Sequence, residues 1–544
     1  MKYLLEAASR VKPLSRCKVG NSDLKQCLTL LDLVAYGVGC SVGAGVYSLV
    51  GVGAQIAGPS ISLSFLVSGI ACIFTSLAYS EFASRVPVTG SAYTFVYITF
   101  GELAAWLIGW NLTLGYGISS AGIARSWASY AHLFLQNCGL HLPHWFVRTD
   151  FLGASCSILA ACLIICCTFI LLAGIRVCVS ACDFSYLKCT TLISSLLQES
   201  AKFNAVVTLL NVSVLIFVVA FGSTQVDASN WEPFMPMGIH GVIAGAGVVF
   251  FAYLGFDMVA CLAEEVNDPQ HTLPRGIIGS LLISMAIYVG VSLVVTGMAP
   301  VDILGNEVPL VNAFAFHNLP WAGCVVSFGS IFGLTTAAFT CLMGQPRIYY
   351  QMAKDGLLPS FFAKLNHRTQ VPMASTIFSG VLVAIIAFVF DLTFLANVIS
   401  CGTLQVFTFV NAGVLLLRMR PSLSSVNVIY RVLLFVVSSF ALSLSFVLEF
   451  SWVIQGVLFV LVVVSYVYIN QLGKLSERTG TFLCPLVPFV PCMGIIANVH
   501  MMVSIPVEGW IGVLIWLGMG LIVYLSYGIR NSVLSDPYIL YPLI

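Results

Sequence analysis

The sequence predicts an all-α polytopic membrane protein of about fourteen transmembrane helices. Three observations predict it. Of 544 residues, 59% are hydrophobic and only 8% are charged, whereas an ordinary soluble domain carries about 25% charged residues. Apolar runs near the twenty residues a bilayer demands recur along the whole chain. Lysine and arginine fall almost wholly on one side when those runs are threaded alternately.

The runs lie near 29–56, 60–82, 103–132, 153–174, 201–222, 240–262, 277–299, 321–344, 373–391, 394–417, 430–449, 451–471, 485–506 and 509–528. With the N-terminus inside, the inner loops hold twenty-one Lys and Arg, the outer loops hold Arg148, and Arg125 falls within a span. A missed or invented span would scramble that asymmetry, so both termini are expected in the cytoplasm. Residues 1–28 are polar and basic, without the apolar stretch and cleavage site of a signal peptide. Net charge is +1, which gives nucleic acid no basic field to recognise. The eighteen cysteines are scattered through apolar runs with no Cys-x-x-Cys pair, as small packing residues are. No metal cluster, cofactor motif or nucleophile–base pair shares a common depth, so no enzyme and no cofactor are expected. Two histidines at 141 and 144, beside Trp145 in the loop after span 3, suit a membrane interface better than a metal. The sequons at Asn111 and Asn211 lie inside spans, where glycosylation does not reach.

Span 1 carries Gly37-Val-Gly-Cys-Ser-Val-Gly-Ala-Gly-Val-Tyr47 at mid-depth. Glycine costs about 1 kcal/mol against alanine within a helix, and irregular backbone in a bilayer survives only when it is buried in protein or lines a cavity. A small-residue packing face such as Gly39/Gly43 is the alternative. Span 6 repeats the pattern with glycines at 241, 245, 247 and 255 and an acid, Asp257. Interruptions five spans apart are the mark of a five-plus-five inverted repeat, spans 1–5 (29–222) and 6–10 (223–420). Free N–H groups of half-helices attract an anion, and unwound carbonyls attract a cation. An α-amino acid brings both charges within a few ångströms. Asp257 either meets a cation or caps the broken helix; capping is the favoured role. Phe251 is the aromatic expected to close the pocket. Glu102 and Arg125 of span 3 lie ~34 Å apart along a helix, too far to pair.

Together these residues look familiar. The runs are Leu28-Thr-Leu-Leu-Asp-Leu-Val-Ala, Gly43-Ala-Gly-Val-Tyr, Tyr79-Ser-Glu-Phe-Ala, Pro87-Val-Thr-Gly-Ser-Ala-Tyr, Gly101-Glu-Leu, Gly109-Trp-Asn-Leu and Ala124-Arg-Ser-Trp. Further on stand Gly255-Phe-Asp, Glu264-Glu-Val-Asn-Asp-Pro-Gln, Pro346-Arg-Ile-Tyr, Ala353-Lys-Asp-Gly-Leu-Leu-Pro and Tyr527-Gly-Ile-Arg. The chain resembles the cationic amino acid transporter branch of the amino acid–polyamine–organocation superfamily over nearly its whole length. That resemblance implies a transport core of ten spans, four C-terminal spans (421–530) and a short tail (531–544). It implies that backbone at Val42, Gly43, Ala44 and Gly45 receives the substrate carboxylate, and carbonyls at Phe250, Phe251 and Tyr253 the ammonium. Phe251 matches the gating aromatic, Leu254 and Asp257 fall on the side-chain pocket, and Glu102 matches a glutamate linked to transport. Gly329 and Ser330 of span 8 would leave room for a long side chain.

Three positions depart from the pattern. Asn211 stands where proton-coupled bacterial relatives carry a lysine, which implies a facilitative uniporter. Gly115 replaces a glutamate often found in bacterial relatives and removes a counter-charge for a basic substrate. Residues 177–198 are an insertion: a cytoplasmic loop, a regulatory or metal-binding element, or a translated intron. The expected function is potential-driven transport of arginine, lysine and ornithine, with neutral or proton-coupled amino-acid transport, or amino-acid sensing, as alternatives. The plasma membrane is the first expectation for location and a lysosomal or vacuolar membrane the second. The partners expected are the amino acid and lipid.

Overall fold

The computed structural model describes residues 9–13, 28–88, 90–147, 149–151, 154–173, 189–305, 307–366, 371–419, 425–471 and 481–535. Helices occupy every one of the fourteen apolar runs. The protein is an all-α polytopic membrane protein. Among the described residues, nine helical segments are long and apolar enough to cross a bilayer, and four more are shorter apolar helices. Span 3 (Glu102–Asn137) belongs to neither group, because Asn111, Thr113, Ser119, Ser120, Arg125 and Ser126 dilute its apolar surface. A two-stranded hairpin, Thr149–Phe151 with Ala154–Cys156, links spans 3 and 4. Of the predicted insertion, residues 177–188 lie outside the described residues; from Cys189 the chain is helical and continues into span 5, ending at Gly222.

The start of span 1 is written locally. Thr29 and Asp32 form a capping box: the Asp32 carboxylate accepts from the Thr29 amide at 2.9 Å. This satisfies amides that a helix start leaves open. The helix runs from Leu30 to Ser41, stops, and resumes as Ala44–Tyr47 and Leu49–Ala57. Span 6 runs as Gly238–Val249, then a 3-10 turn Phe250–Tyr253, then a second 3-10 stretch Met258–Glu265. Neighbours follow a regular rule. Span 2 (Ile61–Arg85) packs along span 7 (Pro269–Met298), span 3 along span 8 (Pro320–Lys354), and span 4 (Ile158–Ala173) along span 9 (Met373–Val389).

Buried ion pairs tie distant helices together. Glu81 of span 2 is fully buried and accepts from Arg418 of span 10 (Leu392–Met419) through Nε at 2.8 Å and a terminal nitrogen at 3.0 Å. Arg85 meets the same carboxylate at 2.7 Å, and the Cys484 amide donates to it at 2.8 Å. On the face that carries the N-terminal segment, Lys12 meets Asp355 at 2.7 Å and Arg347 meets Glu265 at 3.1 Å. The Leu28 amide donates to the Glu265 carbonyl at 3.0 Å, so the end of span 6 and the entry to span 1 are stitched together.

Candidate functional site

The first break is centred on Val42 and Gly43. The Gly43 amide turns back to the Ser41 carbonyl at 2.8 Å, and Ala44 opens the next half-helix. The first amides of such a half-helix have no partner within it. The Val42 carbonyl is held from span 5: Asn211 Nδ2 donates to it at 2.9 Å. The Tyr47 hydroxyl donates to Asn211 Oδ1, and the Tyr130 hydroxyl of span 3 donates to the Tyr47 carbonyl at 2.6 Å. Asn211 fits because Gly333 of span 8 lies against it; a Cβ there would overlap the amide.

The second break follows Tyr253. Leu254 is extended, and Gly255 has φ +138°, a conformation that L side chains rarely adopt. A Cβ on Gly255 would also fall 2.7 Å from the Ser41 amide nitrogen. Asp257 Oδ1 accepts from the Gly255 amide at 3.1 Å, so this intramembrane acid caps the break. The Phe251 carbonyl accepts from the Leu254 amide at 3.2 Å, and the Tyr288 hydroxyl donates to the Ala252 carbonyl at 2.9 Å. The two breaks touch where Gly45 faces Ala252, and a Cβ on Gly45 would overlap that residue's backbone.

Between them lies a small cavity lined by Cys40, Ser41, Gly43, Ala44, Gly45, Ser119, Ile123, Phe251, Leu254 and Cys341. Its free space is ≈ 10 Å³ for water centres, room for about one water. Phe251 is only 4% exposed. Its ring lies against Gly122, one turn from Ser119 toward the Asn137 end of span 3, and so covers the cavity on that side. The Ser48 hydroxyl donates to the Glu307 carbonyl at 2.9 Å, which holds the second half of span 1 to the loop after span 7.

Of the residues singled out from sequence, Gly43, Ala44, Gly45, Phe251 and Leu254 line this cavity. Val42, Phe250, Tyr253 and Asp257 lie in the breaks but outside the lining. Asn211 lies outside the lining and donates to the Val42 carbonyl. Gly329 and Ser330 are not brought to the cavity. Gly329 packs on Val214, and the Ser330 hydroxyl donates to the Ser327 carbonyl at 2.8 Å. Span 8 instead presents Cys341 to the cavity and Ala337 to Gly43, two to three turns further along. Glu102 is also elsewhere. It is fully buried at the N-terminal face, accepting from Ser532 at 2.5 Å, Tyr524 at 3.0 Å and Tyr97 at 3.2 Å, with Arg10 at 3.9 Å. Cys40, Ser41, Ser119, Ile123 and Cys341 were not singled out. Cys40 and Ser41 had one available signal, their place immediately before the glycine break.

The family model described as amino acid permease matches residues 28–184 and 187–471, and the model for the C-terminus of these permeases matches 482–532. The chain belongs to the amino acid permease family. Its relatives carry different cargoes in their names. This permease is 34% identical to "Cationic amino acid transporter 4, vacuolar" of Arabidopsis thaliana, over 95% of this chain and 94% of that protein. It is 32% identical to the "Methylthioribose transporter" of Bacillus subtilis (strain 168), over 97% and 99%. It is 33% identical to "Cationic amino acid transporter 4" of Homo sapiens, over 97% and 91%. The central breaks of this permease therefore sit in a scaffold whose relatives move small molecules across membranes.

Proposed function

We propose that this permease carries cationic L-amino acids by alternating access, driven by the membrane potential alone. The observation that carries this reading is the meeting of two helix breaks at one cavity. Amides from Ala44 onward suit the α-carboxylate, and the carbonyls of Phe250, Phe251 and Tyr253 suit the α-ammonium. The pairing of span 2 with 7, 3 with 8 and 4 with 9 is what a two-fold relation between spans 1–5 and 6–10 gives. The cavity is too small for an amino acid as it stands, so loading requires Phe251 and the outer half of span 1 to swing away.

The cationic assignment draws on the names of the plant and human relatives. Uniport draws on Asn211, which cannot change charge beside the first break. A cationic cargo gains about 2.3 kcal/mol per charge per 100 mV, enough to drive accumulation without a second ion. Orientation with both termini in the cytoplasm follows from the Lys and Arg asymmetry, and the plasma membrane is the proposed location.

Reconstituted protein tests this. Labelled arginine uptake at a clamped potential should carry current and persist without sodium or a proton gradient. Electroneutral uptake that collapses with the pH gradient would overturn uniport. One observation favours a second reading, transport of neutral amino acids: the cavity lining contains no carboxylate. Competition of labelled lysine uptake by leucine separates the two.

A further inference from the structure

A polar cluster lies one turn from the cavity, and neither the breaks nor the gate uses it. Span 3 passes through a π turn at Leu114–Ile118, a feature that often marks functional sites. Beside it, Gln345 of span 8 is fully buried. Its Nε2 donates to Thr113 Oγ1 at 3.0 Å, and Thr113 lies 3.1 Å from the Tyr349 hydroxyl. The amide is thereby held beside these two hydroxyls. Its carbonyl oxygen, Oε1, has no hydrogen-bond partner among the described residues.

A buried acceptor without a donor costs about 1–3 kcal/mol, so such an atom calls for a partner, and a ligand or an ordered water can supply it. Its place favours a ligand. Gln345 follows Cys341 by four residues, on the same helix face, and Cys341 lines the cavity. The offset is about 6 Å of helix, within reach of an extended four-carbon side chain. Gly117 of span 3 packs directly on the Gln345 side chain, where a Cβ would lie 3.4 Å from its Cγ. Gly115 leaves no carboxylate at the turn, so any counterpart for a basic group here is a neutral oxygen.

We infer that Gln345 is the side-chain specificity residue of this permease, its Oε1 accepting a hydrogen bond from the terminal ammonium or guanidinium of the carried amino acid. This rests on the cationic reading proposed above. Thr113 and Tyr349 are positioning residues that hold the Gln345 amide in place beside the cavity. No charge neutralisation is involved. The subsite therefore discriminates by hydrogen bonding and tolerates cargo release.

Uptake kinetics in proteoliposomes test the assignment, with labelled lysine and labelled norleucine, which matches its length without the ammonium. Gln345→Met should raise the lysine KM about tenfold while norleucine uptake is unchanged or improved, the loss of one hydrogen bond to a charged group. Gln345→Glu should lower the lysine KM and weaken norleucine. Equal changes for both cargoes, or none, would mean a packing residue bonded to water and overturn the subsite. If Gln345→Met does not fold, the lysine-to-norleucine KM ratio of Gln345→Glu decides alone. Wild-type protein that takes up norleucine but no lysine would overturn the cationic reading together with the subsite. Lysine uptake indifferent to both variants would overturn the subsite only.

Discussion

Asn211 Nδ2 lies 2.9 Å from the Val42 carbonyl, so span 5 holds the broken backbone of span 1 directly. The other end of the same amide accepts from Tyr47, five residues further along that span. One side chain thus clamps both sides of the first break. Asn211→Leu removes both bonds and leaves two buried polar groups unpaired, each costing about 1–3 kcal/mol. The expected result is a KM raised about ten- to a hundredfold for every cargo alike, if the break binds the carboxylate that all amino acids share, as proposed. Tyr47→Phe should give a smaller rise of the same uniform kind. A change confined to one class of side chain would contradict this role.

Gly45 allows the two breaks to meet. Its missing Cβ points into Ala252, and backbone cannot yield as a flexible side-chain tip can. Gly45→Ala should abolish uptake while the protein still reaches the membrane and remains monodisperse in detergent. Uptake above a tenth of wild type would show that the breaks tolerate separation.

Phe251 closes one side of the cavity against Gly122. Phe251→Ala should lower kcat more than it raises KM, because an unclosed site binds but does not commit its cargo. Tryptophan in place of Gly122 should have a similar effect by blocking the ring. The measurement is the kcat and KM split in zero-trans uptake, and a pure KM effect would assign Phe251 to binding instead.

Glu81 joins spans 2 and 10 through Arg418 and also holds Arg85. Glu81→Gln leaves two guanidinium groups near a buried neutral amide. Breaking such a pair costs about 3–5 kcal/mol, and thermal melting in detergent should fall accordingly. Replacing both partners, Glu81→Met with Arg418→Met, should recover part of that loss. A double variant no better than the single one would show that the carboxylate matters for Arg85 and Cys484 more than for Arg418.

How much was legible beforehand differs by residue. The glycine clusters of spans 1 and 6 are local, and each follows from a few adjacent letters. Cys341 and Ala337 were not legible. Which face of span 8 meets the first break depends on how that helix is rotated and how deep it sits. Hydropathy does not encode this when the helix is apolar on most sides. Gly329 and Ser330 are as small as the residues that do approach the break, yet they face Val214 and their own helix.

By itself the sequence determined the class, the fourteen apolar runs and the placement of two interruptions, because bilayer thickness and backbone hydrogen bonding act on short stretches. Charge asymmetry predicts which ends of those runs share a side, without any knowledge of contacts. Capping by Asp257 is already the reading the sequence favours, and the structure names Gly255 as its partner; only the tertiary structure decided that Asn211 grips Val42 and that Glu102 belongs to the N-terminal face rather than the cavity. It alone joined Glu81 to Arg418, 337 residues apart. A hydrogen bond between spans depends on relative depth and rotation, and those are set by the packing of all the helices at once.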